Sequence, residues 1–202
     1  MPVHAPSAFT QLLADALPDC SGLSALDAGC GAGAVTVALL ERGAERVTAL
    51  DSDPAALELT AQEVTRRGLG ARVELVHGRF GEPPSPRADL AVMNPGQRPA
   101  AVYEALPPEE RWIHRGGGPD GMDTLRLVLG WVAAPAVLST LSSLVSRDPG
   151  PVAAAAGWSA APVLTRPVRH AEPWRAVAEE LEQPVTVWRF ERRPGPVRAV
   201  TS

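Results

Sequence analysis

Between residues 25 and 35 the chain reads Ala25-Leu26-Asp27-Ala28-Gly29-Cys30-Gly31-Ala32-Gly33-Ala34-Val35. A short apolar run ends in an aspartate, three glycines follow at alternate positions, and a helix-forming run extends from Val35 to Arg42. The pattern predicts strand, tight turn, helix. Glycine has no Cβ, so the backbone can turn sharply and a flat ligand can lie directly against the peptide planes. The helix start beyond offers unpaired N–H groups. The spacing is G-x-G-x-G, distinct from the G-x-G-x-x-G dinucleotide fingerprint. Alone it is also compatible with a tightly packed βα turn that binds nothing.

A second run, Val47-Thr48-Ala49-Leu50-Asp51, ends in an acid 22 residues after Gly29. A carboxylate at the tip of a second strand is placed to accept both hydroxyls of a ribose. The alternative is a solvated turn residue or a helix cap. With these two motifs the chain resembles the class I S-adenosylmethionine-dependent methyltransferases, which carry D-x-G-x-G-x-G after the first strand and an acid after the second. The resemblance implies S-adenosyl-L-methionine as cofactor. It implies that Asp27, Gly29, Gly31 and Gly33 border the methionine part and Asp51 the ribose, with Ser52, Arg79, Phe80 and Asn94 as further cofactor-binding candidates. Cys30 falls at a variable position of the motif and reads as a small buried filler, not a nucleophile.

The order of the remaining signals sets the architecture. Residues 7–17 carry apolar positions at helical spacing and stop at Pro18, giving a helix that either covers the cofactor pocket as a lid or caps the core edge. Ser52-Asp53-Pro54 is a helix start with Asp53 as its cap, and Gly68 ends that helix. Strands are expected over 72–76 and 89–93, a helix from Pro119 to about Val132, a fifth strand over 136–145 and a short helix from 148 to 157. Strand 163–168, helix 173–181 and strand 185–191 close the fold. The β-α-β-α-β-loop-β order predicts right-handed crossovers. The expected fold is a Rossmann-like, doubly wound, mostly parallel seven-stranded sheet with helices on both faces. At 202 residues one such domain is expected. Residues 1–22 form its N-terminal helix and lid, 23–193 the methyltransferase domain and 194–202 a flexible tail.

Ligands of such sheets bind outside the carboxyl ends of the strands. The glycine motif, Asp51, Arg79-Phe80 and Asn94 all fall there. Phe80 lies either against an adenine face or in the core. Arg79 stands where many relatives have an acid reaching the adenine amino group. Asn94-Pro95-Gly96-Gln97, ending the fourth strand, could accept hydrogen bonds from an acceptor N–H through the Asn94 amide and the Pro95 carbonyl, or could be a plain turn.

Gly117-Gly118-Pro119-Asp120-Gly121-Met122-Asp123 follows about 25 residues later. It resembles the G-G-x-D-G-x-x motif of HemK/PrmC-type methyltransferases, which methylate the side-chain nitrogen of glutamine in release factors with N-P-P-Y at the acceptor position. The resemblance spans about residues 23–192 and is nearest the short members of that type. Here Gly96 replaces the second proline and Gln97 the tyrosine, so stacking on a planar acceptor is replaced by hydrogen bonding. The expected activity is methyl transfer to a nitrogen of a small-molecule or peptide acceptor, with Gln97, Trp112 and His114 lining the acceptor side. The alternatives are glutamine methylation of a release factor, O-methylation with His114 as base backed by Glu109 or Glu110, a non-catalytic cofactor-binding protein, and a nicotinamide-dependent oxidoreductase disfavoured by the glycine spacing. Tyr103 and Trp112 either line the acceptor pocket or anchor their loop.

Composition bounds the partners. All 19 basic residues are arginine and the net charge is −4, which argues against a dedicated nucleic-acid binder. Two cysteines ten apart and four scattered histidines match no disulfide framework or metal site. No secretory signal or membrane-length apolar run is present, so a soluble cytoplasmic protein without metal is expected. The oligomeric state is open.

Overall fold

The strand order that places the site is β3-β2-β1-β4-β5-β7-β6, with β1 at Ser24–Ala28, β2 at Arg46–Asp51, β3 at Val73–His77, β4 at Leu90–Met93, β5 at Ala136–Ser142, β6 at Trp158–Arg169 and β7 at Glu182–Arg192. The computed structural model describes residues 7–82, 85–104, 117–145, 148–170, 172–176 and 178–193. Strands β1 to β5 are mutually parallel, and β7 runs antiparallel between β5 and β6. The chain winds from β1 outward through β2 to β3, then returns to β4 on the other side of β1. The switch therefore lies between β1 and β4, where open α/β sheets leave a crevice.

Helices cover both faces. They are α1 (Ala8–Asp15), α2 (Ala34–Glu41), α3 (Pro54–Arg66), α4 (Ala100–Glu104), α5 (Asp123–Trp131) and α6 (Gly150–Ala155). Successive strand residues point to opposite faces, and the core divides accordingly. On one face Ala25, Leu90, Val92 and Leu138 pack with Leu12 and Leu13 of α1 and Val35 and Leu39 of α2. On the other, Leu26, Ala28, Ala91 and Met93 pack with Leu125, Val128 and Leu129 of α5 and Ala153 of α6. Among the described residues no helix is long and apolar enough to cross a membrane.

Local signals set most boundaries. Ser7 opens α1, its hydroxyl accepting from the Thr10 N–H. Asp53 caps α3 through the Ala55 N–H with Pro54 at the first turn, as the sequence predicts. Three differences are the largest. Helix α5 begins at Asp123 instead of Pro119, because Gly121 is left-handed at φ +80°. Strand β6 begins at Trp158, because it pairs with β7 along its whole length, and its register shifts between Pro162 and Leu164. The helix expected over 173–181 is replaced by a 3₁₀ turn, Glu172–Ala176. Arg169 pairs with Glu182, so the intervening residues must close a hairpin, and the buried Trp174 and Leu181 anchor them. A straight helix there would carry the chain away from its partner strand.

Candidate active site

Register builds the site. Ala28 lies opposite Leu50 on β2 and Met93 on β4, and Met93 lies opposite Ser139 on β5. The residues that follow these strand positions, Gly29, Asp51, Asn94 and Thr140, therefore meet at one edge.

The glycine turn is held by backbone. Leu50 O accepts from Gly29 N at 2.8 Å and Cys30 N at 3.0 Å, and Gly33 N closes the turn onto Cys30 O at 2.9 Å. Asp51 is clamped by two backbone donors, Gly31 N to Oδ2 and Asp53 N to Oδ1, both at 2.9 Å. Each carboxylate oxygen thus spends one lone pair on the fold and keeps another for a ligand hydroxyl. A Cβ at Gly31 would meet nothing within 4 Å, so the turn faces open space. At Gly33, φ is +82° and a Cβ would stand 3.1 Å from Thr60. Thr60 also donates to Gly31 O at 2.9 Å. Sequence reasoning missed this residue, although the α3 face of Leu57 and Val64 pointed to its side of the helix.

Asp27 lies beneath the turn, 1 % exposed, and accepts from Thr36 Oγ1 at 2.6 Å. Burial pushes its carboxyl pKa up to about 7, with Thr36 opposing the rise. Cys30 is buried, and burial, with Asp27 next in effect, pushes its thiol up to about 12, so it is inert packing.

Phe80 is half-buried, its ring centroid 6.1 Å from that of Trp131, and its Cζ lies 3.5 Å from where a Gly29 Cβ would stand. It therefore has one edge on α5 and another beside the glycine turn. Arg79 is exposed, its backbone N–H donating to Glu82 at 3.3 Å. Ser52 is exposed and its carbonyl faces His77 Nε2 at 3.2 Å. Ser52 directly follows β2 and Arg79 lies two residues beyond β3.

Asn94 is half-buried between β5 and α1. Its Oδ1 accepts from Thr140 Oγ1 at 2.7 Å, and its Nδ2 donates to Thr10 Oγ1 at 3.3 Å. Pro95 is buried. Gln97, expected to face an acceptor, is instead 5 % exposed and turned into the sheet. Its Oε1 accepts from Ser142 N at 2.8 Å and its Nε2 donates to Thr140 O at 3.1 Å. β5 outruns β4 here, and Gln97 satisfies the backbone groups that β4 leaves behind. Trp112 and His114, with Glu109 and Glu110, lie outside the described residues, as does the Tyr103 side chain.

The second glycine motif lies against this segment backbone to backbone. A Cβ at Gly121 would stand 2.7 Å from Gln97 O, and one at Gly117 would run into the Arg98 carbonyl. Ala100 N donates to Gly118 O and Asp123 N to Gly117 O, each at 3.1 Å, while Thr124 Oγ1 donates to Gly96 O at 3.1 Å. Asp120 caps Met122 N and pairs with Arg126, which holds its carboxyl at about 2. Behind Gln97, the Ser142 hydroxyl meets His170 Nε2 at 2.8 Å. His170 Nδ1 faces the Val168 and Leu181 carbonyls, so that nitrogen carries the proton, and burial lowers the ring's pKa. Phe9 of α1 packs edge-on against the same ring. Among the described residues no group of three His, Cys, Asp or Glu side chains is placed to hold a metal ion.

Residues 25–106 match the family model of the methyltransferase domain. The chain is 38 % identical over 120 residues to the release factor glutamine methyltransferase of Moorella thermoacetica, covering 56 % of this chain and 42 % of that protein. It spans less than half the length of the first such relatives it matches. Its fold is shared with a putative RNA methyltransferase from Pyrococcus horikoshii, at TM-score 0.62 and 18 % identity over 92 % of this chain and 80 % of that one. It is shared also with a Synechocystis magnesium protoporphyrin IX methyltransferase with bound S-adenosylmethionine, at TM-score 0.55 and 15 % identity over 91 % and 76 %.

Proposed function

We propose that this chain, a class I S-adenosylmethionine-dependent methyltransferase resembling the HemK/PrmC type, transfers a methyl group to a nitrogen of a peptide or small-molecule acceptor held at Asn94 and Pro95. The observation that carries this reading is the register that releases Gly29 and Asn94 side by side, one residue beyond the paired Ala28 and Met93. A donor on the glycine turn and an acceptor on Asn94 are thereby neighbours.

The residues present fit the cofactor. The open face over Gly31 admits a flat group, and the doubly clamped Asp51 keeps an acceptor lone pair on each oxygen for the ribose hydroxyls. Asp51 orients the sugar. When bound, the cofactor supplies a sulfonium-activated methyl group, so an amine or amide acceptor needs orientation more than acid–base help. Asn94 Oδ1 keeps one lone pair beyond its bond to Thr140 for an acceptor N–H. Helix α1, packed into the core through Leu12 and Leu13, touches Asn94 through Thr10 and so borders the acceptor side.

The finer reading, methylation of a release factor glutamine, is favoured by four relatives named for that reaction. Other relatives are named as methyltransferases of ribosomal RNA and of ribosomal protein L11. The buried Gln97 supplies no stacking face, which keeps small-molecule acceptors in view. Incubation with methyl-labelled cofactor and a purified release factor, beside a fractionated metabolite extract, tests both. Label on a glutamine side chain supports the finer reading, and label only in a metabolite fraction refutes it. Asn94→Ala is expected to lower transfer on the order of 10²-fold while cofactor still binds by calorimetry. Undiminished transfer would show the acceptor site to be misplaced.

A further inference from the structure

The side-chain amide of asparagine can sit in two nearly isosteric orientations, and only its surroundings choose between them. At Asn94 the choice decides whether a carbonyl or an NH₂ stands at the strand end. We propose that Gln97 and Thr140 are positioning residues that fix this choice, passing one direction of hydrogen bonding from the β5 backbone to Asn94. The proposal rests on the reading of Asn94 as the acceptor-holding residue.

The direction is set at Gln97. Ser142 N–H can only donate, so the group it meets at 2.8 Å must be Oε1. The Thr140 carbonyl can only accept, so the group it meets at 3.1 Å must be Nε2. Two backbone groups of one strand thus fix the Gln97 amide without ambiguity. Nε2 also reaches Thr140 Oγ1, in a longer contact of 3.4 Å. An amide nitrogen can only donate, so the hydroxyl accepts there and its single proton is directed elsewhere. It goes to Asn94, 2.7 Å away, which must then present Oδ1 to Thr140 and Nδ2 to Thr10. Donation runs one way from Gln97 to Thr140 to Asn94. Gln97 and Thr140 are both buried, so water does not compete for these bonds. Oδ1 accepts from Thr140 with one lone pair and keeps the other, held in a fixed direction, for an acceptor N–H. Gln97 therefore acts on the acceptor through Asn94 without touching it.

The test compares Thr140→Val, which keeps the shape and removes the hydroxyl, with Thr140→Ser, which restores it, and with Gln97→Met, which removes the donor. The direct readout is the Asn94 side-chain NH₂ signal in ¹⁵N-labelled full-length protein, identified by its loss in Asn94→Ala. Thr140→Val is expected to shift that signal and speed its exchange with water severalfold, Gln97→Met to do so less, and Thr140→Ser to return it to the wild-type position. Calorimetric affinity for S-adenosylmethionine is expected to stay within about twofold, since none of these residues touches the glycine turn. With a release factor as methyl-acceptor probe, Thr140→Val lowers kcat on the order of 10-fold or more with little change in KM, and serine rescues it. An Asn94 signal unchanged in Thr140→Val overturns the proposal, even if the melting temperature drops. So does a serine variant that behaves like valine. The NMR readout needs no acceptor, so the relay is decided even if the release factor takes no methyl. A relay seen by NMR alongside full transfer by Asn94→Ala would refute the acceptor reading alone.

Discussion

Thr36, on the first turn of α2, donates a 2.6 Å hydrogen bond to the carboxylate of Asp27 at the end of β1. The acid is 1 % exposed, and its folded-state pKa is raised from the ordinary 3.8 to about 7. The folded protein therefore keeps a proton that the unfolded chain has lost between about pH 4 and pH 7. Stability from this group is greatest below pH 4, falls as pH rises through that window and levels off above 7. The loss is at most about 4 kcal/mol. Asp27→Asn keeps an oxygen for Thr36 and removes the titration. Denaturant titrations of cofactor-free protein at pH 5 and pH 8 are expected to diverge for wild type and to converge for this variant.

Asp51 carries two structural hydrogen bonds as well as its proposed ligand contacts. Asp51→Ala strands the Gly31 and Asp53 N–H groups and removes the acceptor for a ribose. Cofactor affinity should fall 10-fold or more, since each hydrogen bond to a charged group contributes roughly 1.5–3 kcal/mol. Isothermal titration measures it, and unaltered affinity would place the sugar elsewhere.

Two glycines of one motif are expected to fail differently. Gly33→Ala puts a Cβ 3.1 Å from Thr60 at φ +82°. The left-handed backbone alone costs about 1–2 kcal/mol, and Thr60 cannot retreat without moving α3. Gly31→Ala, at φ +54° with nothing within 4 Å, adds no clash but stands in the open face of the crevice. The first substitution should lower the melting temperature more, and the second should weaken cofactor binding more. Thermal unfolding and calorimetry on the pair separate the two effects.

Trp158 is fully buried at the start of β6, with Nε1 donating to Leu129 O at 2.9 Å and Arg192 over its ring at 4.5 Å. Trp158→Phe leaves the Leu129 carbonyl unmatched and should cost about 1–3 kcal/mol. Trp158→Ala adds a cavity and should cost about 3–5 kcal/mol. Chemical denaturation resolves both, and equal losses would mean that the void closes.

The parts legible in the sequence are those written locally. The glycine turn, the acid ending β2 and the Asp53-Pro54 helix start each carry their own stereochemical signature, and together they announce a doubly wound sheet. What could not be read depends on which strands become neighbours. Gln97 is polar and follows Asn-Pro-Gly, so it reads as exposed. Its burial arises because β5 runs beyond β4 and leaves backbone groups to satisfy. Thr140 looks like an ordinary strand residue until the Met93–Ser139 pairing sets it beside Asn94. The lost helix over 173–181 has the same origin. Its composition favours a helix, but the Arg169–Glu182 pairing demands a short return.

The seam between Gly117–Gly121 and Arg98–Gln97 has an evolutionary corollary. Because Ala100 N donates to Gly118 O, these two positions are pinned to each other. A lineage that varied the residues between them would keep both anchor points, and is expected to spare the Gly31–Asp51 bond at the tip of β2.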